Sequence, residues 1–207
     1  MEGIKARDLD EEAEIFQNSR FLRLLWYMNT DRLEEGWELP KEIAQGLDRY
    51  GDRINPSRRL AFALNLTFFG FVREDYELAW HWNQRILRDR STDIRRDIRN
   101  YARIFVLILA YQMQDQRYLE SALQAAYQRH RRGSAQNAFF DLAIRIKRNL
   151  AVTTDEYAPV RLWLREMEDF ANGPGARPEF GQAEIKLWLR ALESGTPMAE
   201  LLREKED

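Results

Sequence analysis

Four arginines, Arg95, Arg96, Arg99 and Arg103, cluster in one short stretch of the chain. On a helix, Arg95, Arg99 and Arg103 stand at i, i+4 and i+8 and form one stripe of like charge. Such a stripe repels itself by a few tenths of a kcal/mol per pair, so helical propensity gives no reason to choose it. A guanidinium offers five donors in a planar fork that matches carboxylate and phosphate oxygens. The chemistry expected of these four residues is therefore recognition of an acidic partner. The competing reading is a solvated face partly paired with Asp93 and Asp97. A second cluster, Arg129, His130, Arg131 and Arg132, precedes Gly133. Cations there complement a helix C-terminus. With Arg145, Lys147 and Arg148 they would extend a basic strip suited to nucleic acid. Aromatic residues are not interleaved with these charges, which argues against base stacking.

Catalytic chemistry finds less to work with. The chain has 2 His and no Cys, which excludes disulfides, thiolate metal sites and Cys nucleophiles. Neither His81 nor His130 is followed, three or four residues on, by a second His or a carboxylate. Glu34-Glu35 and the Asp93/Asp97 pair could be drawn as acid/base couples, yet carboxylates among arginines read first as ion-pair partners. No Gly-rich phosphate loop, nucleophile elbow or Ser/His/Asp arrangement is visible. The expectation is no catalytic, cofactor-binding or metal-binding residue.

The chain's 207 residues are 44% apolar, with 6 Trp, 8 Tyr and 11 Phe, enough to fill a sizeable core. Only 10 Gly and 6 Pro punctuate it, too few for an all-β domain of this length. Net charge is −2, but Arg85 to Arg148 holds 14 Lys+Arg against 6 Asp+Glu, or +8, leaving −10 elsewhere. The opening MEGIKARDLDEEAEIF lacks an apolar signal-peptide core, and the longest apolar run, Ile104 to Tyr111, is far below the ~20 residues of a membrane span. A cytoplasmic protein without a membrane partner is expected.

Apolar residues recur at helical spacing almost throughout. Asp8 to Glu14 supply negative charge at a helix start, followed by Ile15, Leu22, Leu25 and Trp26 as its apolar stripe. Thr30 to Leu39 reads as a turn with a short helical piece. Ile43, Leu47, Tyr50 and Ile54 follow, with Pro40 in the first turn. Asn55-Pro56 caps a helix carrying Leu60, Leu64, Phe68 and Phe71, buried on more than one side. Tyr76, Ala79, Trp80, Asn83 and Leu87 carry the next. Ser91-Thr92-Asp93 offers the cap of the clearest amphipathic helix, with Ile94, Ile98, Tyr101, Ala102, Phe105, Ile108 and Leu109 on one face. Leu119 to Ala126 and Phe139 to Leu150 follow. Thr153 and Glu156 form a capping box. After the loop Gly173 to Pro178 come Ile185 to Leu192 and a short helix from Thr196-Pro197.

Short breaks force sequential helices antiparallel, so the chain is expected to be a string of helical hairpins. Tyr76, Tyr118 and Tyr157 each open the second helix of a pair. The segment LNLTFFGFVREDYELAWHWNQRIL resembles the tetratricopeptide repeat, whose two helices meet at a Gly-Asp-Tyr-like turn. Glu74-Asp75-Tyr76 occupies that turn, Ala79 the small position, and Trp82, Ile86 and Leu87 the positions that follow. Thr67 stands where the family has Gly. In LAYQMQDQRYLESALQAAY, Leu109-Ala110 stands at the family's Leu-Gly and Ala122 at its packing Ala. The spacing from one tyrosine to the next exceeds the family's ~34 residues, and no Pro closes either hairpin. The run IRRDIRNYARIFVLILAY looks like the long helix of uncharacterised bacterial relatives.

The resemblance implies an all-α, right-handed stack of antiparallel hairpins, a single-domain α-solenoid. Residues 1–54 would pack on the repeats, 55–171 would be the repeats, and 172–207 would cap them. It implies a non-catalytic scaffold binding a protein or peptide segment, with Arg95, Arg96, Arg99 and Arg103 lining the groove. The alternative from another class is an RNA- or phosphate-binding helical domain using the basic centre. A third is a hydrolase with an unrecognised carboxylate site.

Overall fold

The computed structural model describes residues 7–30, 32–89, 95–113 and 182–203, with positions 115, 117, 118, 121 and 124 between them. All its regular elements there are helical, so the chain is all-α among the described residues. No helix there is long and apolar enough to cross a membrane. The chain divides into two compact units, Met1–Ile98 and Arg99–Asp207.

The first unit opens with α1, Leu9–Asn29. Asp8 caps it in extended conformation, its carboxylate accepting from the Asp10 and Glu11 amides at 3.0 and 2.9 Å. Asp10, Glu11 and Glu12 fill the first turn, where negative charge offsets the helix dipole. At the other end, the Asn29 and Thr30 side chains donate to the carbonyls of Leu25 and Trp26, both at 2.7 Å, adding bonds to the last turns of the helix. A 3-10 turn, Leu33–Gly36, leads into α2, Leu39–Tyr50, which has Pro40 in its first turn. Gly51, at φ 51°, ends α2 in a conformation few other residues adopt.

Helix α1 is turned opposite to the expectation from its stripe. Its buried residues are Ala13, Leu24 and Tyr27. Leu22 is 67% and Trp26 43% exposed, and Ile15 and Leu25 are half-buried. Two glycines explain the choice. A Cβ at Gly46 of α2 would lie inside the Phe16 ring, and one at Gly36 would stand 2.8 Å from the Tyr27 ring. Both rings of α1 therefore seat on bare backbone. Phe16 continues to Tyr50 and Phe62, at 5.2 and 6.2 Å between centroids, and Phe21 meets Phe62 edge-on at 5.5 Å.

Helix α3, Pro56–Val72, starts where Asn55 accepts from the Ser57 amide at 2.8 Å. Beyond Ala61 it is buried on nearly every side, as its all-round apolar sequence predicts. Thr67 is fully buried and donates to the Ala63 carbonyl at 2.8 Å. Helix α4, Tyr76–Arg88, returns along it, burying Ala79, Trp82, Asn83 and Ile86. The close approach lies at Gly70 and not at Thr67: a Cβ on Gly70 would stand 2.8 Å from the Ala79 nitrogen and 3.0 Å from the Asp75 oxygen.

The second unit contains most of α5, Arg96–Gln112, with α6, Gln182–Ser194, and α7, Met198–Arg203. Tyr101, Ala102, Phe105, Ile108 and Leu109 are all buried, as the periodicity requires, and Ile98 is buried in the first turn of α5. Tyr111 meets Trp188 of α6 edge-on at 6.0 Å. Helix α6 ends at Gly195, φ 70°, and Pro197 precedes α7.

The turn after α5 repeats three hydrogen bonds of the turn after α3. Arg73 N donates to Phe69 O at 3.4 Å, and Met113 N to Leu109 O at 2.9 Å. Asp75 N donates to Gly70 O at 2.9 Å, and Asp115 N to Ala110 O at 3.0 Å. Asp75 then caps the Leu78 amide and Asp115 the Tyr118 amide, both at 3.0 Å. The register thus pairs Gly70 with Ala110 and Asp75 with Asp115. Tyr118 corresponds to Leu78 and not to Tyr76. Glu74 occupies the turn at φ 60°, a left-handed conformation that favours glycine. Glu74→Gly should therefore raise stability by up to about 1 kcal/mol, relief of strain outweighing the freer unfolded chain. Chemical denaturation measures this; a clear loss of stability would show that Glu74 makes contacts worth more than the strain.

Candidate functional site

The expected stripe on α5 is reshaped at its first member. The helix begins at Arg96, so Arg95 stands before it, at φ 53°. Instead of continuing the i, i+4, i+8 row, Arg95 folds onto Asp97, with Nη2 to Oδ2 at 2.9 Å and Nε to Oδ1 at 3.1 Å. That hydrogen bond is the main reason the Asp97 carboxyl is held below its ordinary value, against partial desolvation. Asp97 is thus an ion-pair partner, as its setting among arginines suggested. Asp93 lies outside the described residues, as does the side chain of Arg96. Arg99 and Arg103 are half-buried on α5, and both already interact with groups of this chain. The second basic cluster, Arg129 to Arg132 with Arg145, Lys147 and Arg148, lies outside the described residues. So do Ala122, Tyr157 and the Thr153/Glu156 capping box.

The other candidate groups resolve into packing. Glu34 takes both ends of the Arg73 fork, at 3.0 and 3.4 Å, while Arg73 lies over the Phe69 ring. Glu35 takes the Arg32 fork at 2.6 and 2.7 Å. His81 is exposed, its ring edge-on to Trp82 at 5.7 Å. Among the described residues no group of three His, Cys, Asp or Glu is placed to hold a metal ion. Tyr101 is buried and stacked on Phe105 at 5.3 Å. Desolvation, with a smaller push from the Glu184 carboxylate, raises its hydroxyl well above the ordinary value.

One surface was missed by sequence reasoning. Among the described residues, the large apolar side chains left exposed are Leu9, Leu22, Trp26, Trp37 and Met113. Leu9, Leu22 and Trp26 lie on α1, and Trp37 lies between the 3-10 turn and α2. Arg32 lies over the Trp26 ring at 4.6 Å, and the indole remains partly exposed. Trp and Arg together are the side chains that most often anchor protein interfaces. A signal was present in the sequence: α1 carries apolar residues on both faces, and only one face can enter a core. Comparison with family models, with curated proteins and with solved structures gives no match to this chain.

Proposed function

We propose that the chain is a non-catalytic scaffold of stacked helical hairpins, akin to tetratricopeptide repeats, that binds an acidic protein segment along α5. The observation that carries this reading is the hairpin turn at Asp75, which recurs at Asp115 with three of its hydrogen bonds. A repeated turn of fixed geometry is how a helical-repeat protein stacks its hairpins into an extended binding face. Glu74 at φ 60° adds to the likeness, because that family's turn places Gly there. In sequence, Asp155 continues the spacing, as far beyond Asp115 as Asp115 is beyond Asp75.

Arg99 and Arg103 are the residues on which binding rests. A guanidinium has five donors, so a contact within the chain leaves others for a partner's carboxylate. Half-burial holds the stems and lowers the entropy lost on binding. Arg95, turned onto Asp97, contributes little, and Arg96 opens the helix. The test is capture of partners from nuclease-treated lysate at low and high salt. Arg99→Ala/Arg103→Ala should lose the captured proteins, and capture by the wild type should weaken as salt rises, screening reaching ~8 Å at physiological ionic strength. Arg95→Ala should behave as wild type. Unchanged capture by the double variant would overturn the site, and capture abolished by nuclease would favour the nucleic-acid alternative.

A further inference from the structure

Arg95 is held in a conformation that an arginine rarely adopts. Its φ is 53°, in the left-handed region, while Arg96 beside it opens α5. The guanidinium doubles back over that bend. Nε donates to both Asp97 oxygens, at 3.1 and 3.3 Å, and Nη2 donates to Oδ2 at 2.9 Å. Asp97 is the anchored member of the pair, because it lies in the first turn of α5, where negative charge offsets the helix dipole. Arg95 precedes the helix and is the movable one. The two side chains are 40% and 45% exposed, so a partner's acid can reach them.

Strain and pairing oppose each other at this bend. A left-handed arginine costs about what an exposed ion pair returns, so a single carboxylate is enough to set the balance. In a right-handed conformation Arg95 would add one residue to the start of α5. It would then stand one turn before Arg99, which is itself one turn before Arg103. Three arginines in one row repel each other slightly when no anion is near, and that repulsion favours the clasp. Carboxylates laid along the row reverse its sign. Arg95 therefore has two possible acids, Asp97 within the chain and an acid presented beside Arg99, and Asp97 is always at hand.

We propose that Asp97 determines the specificity of the α5 row: by clasping Arg95 it holds the row at two arginines one turn apart, and without its charge Arg95 becomes the third. The proposal rests on the reading that α5 binds an acidic segment, and it adds the residue that sets how much of that segment is read. It also accounts for a neutral Arg95→Ala, because a clasped Arg95 has little to lose.

Fluorescence anisotropy of a fluorescein-labelled polyglutamate peptide, titrated with the full chain at low salt, is the test. Asp97→Asn should bind it about three- to fivefold more tightly than the wild type, the worth of one further exposed ion pair. Arg95→Ala should bind as the wild type does, and Arg95→Ala/Asp97→Asn should show none of the gain. Simple charge counting expects something else: Arg95→Ala would weaken binding as much as Asp97→Asn strengthens it, and that result overturns the proposal. Nuclear magnetic resonance supplies a readout without the peptide. In Asp97→Asn the Arg95 backbone should move from left-handed to helical chemical shifts, while the circular dichroism spectrum stays helical. An Arg95 that remains left-handed there also overturns the proposal. A peptide bound through Arg99 and Arg103 that gains nothing from Asp97→Asn sinks this inference alone. A peptide bound by neither protein sinks the reading of α5 and this inference with it.

Discussion

Gly70→Ala is expected to destabilise the α3–α4 hairpin by about 1–3 kcal/mol, although alanine is the better helix former. The added Cβ would meet the Ala79 nitrogen at 2.8 Å, the Asp75 oxygen at 3.0 Å and the Leu78 Cβ at 3.2 Å. Two of those atoms are backbone, so no side chain can rotate out of the way. The helices must part instead. Parting them stretches the bond from Asp75 N to Gly70 O, now 2.9 Å, and loosens Ala79, which is fully buried. The usual gain from replacing a helical glycine, about 1 kcal/mol, offsets only part of this. Gly70→Val should cost more, because a branched side chain adds bulk at the same crossing. Ala79→Leu overpacks the crossing from the other side by a similar amount, about 1–3 kcal/mol. Denaturant titrations of the three variants decide it: a Gly70→Ala protein as stable as the wild type would mean that α3 and α4 are not held at this distance.

The position of that glycine shows where sequence reading stops. The start of α4 is legible, because Asp75 is a capping residue before an apolar helical pattern, and the helix does begin at Tyr76. Aligning the tyrosines pairs Tyr76 with Tyr118 and assigns the family's glycine to Thr67. The hydrogen bonds pair Leu78 with Tyr118, two positions beyond Tyr76, and Gly70 with Ala110, three positions beyond Thr67. Tyrosine is conspicuous in a sequence, but Tyr76 is half-buried against Phe71, to one side of the bonds that close the turn. The turn is fixed by Asp75 and by a small residue five positions before it, and neither stands out by hydrophobicity.

The facing of α1 escapes the sequence for a related reason. Leu22, Leu25 and Trp26 outweigh Ala13, Leu24 and Tyr27 as an apolar set, yet they face outward. What selects the inner face is shape on other elements, namely bare backbone at Gly36 and Gly46 onto which Tyr27 and Phe16 fit. Such complementarity is non-local and leaves no periodicity in α1 itself. By contrast, the periodicity of α5 picks out Ile98, Tyr101, Ala102, Phe105, Ile108 and Leu109, all of them buried, though it misses Val106, which is buried too. The arginine site is legible as a cluster but not as a row. Its geometry depends on where α5 begins, and that is set by Arg95 folding back onto Asp97 two residues later.

The glycine under Phe16 gives the sharpest test of this account of α1, because the sign of one substitution should reverse with its partner. In the wild type, Gly46→Ala pushes a methyl group into the Phe16 ring. The ring is held by Tyr50 and Phe62 on its other sides, so it cannot swing away without losing those contacts. A cost of about 1–3 kcal/mol follows, with α1 lifting from α2. Phe16→Ala alone removes a half-buried ring and should cost about 3 kcal/mol. Once the ring is gone, Gly46→Ala meets open space, and the ordinary preference of a helix for alanine takes over. In the Phe16→Ala background the same change should therefore stabilise, by up to about 1 kcal/mol. The cycle's interaction energy is then on the order of 2 kcal/mol, large for two residues and characteristic of direct contact. Additive effects would show that Phe16 does not rest on Gly46, and the outward facing of Leu22 and Trp26 would lose its physical basis.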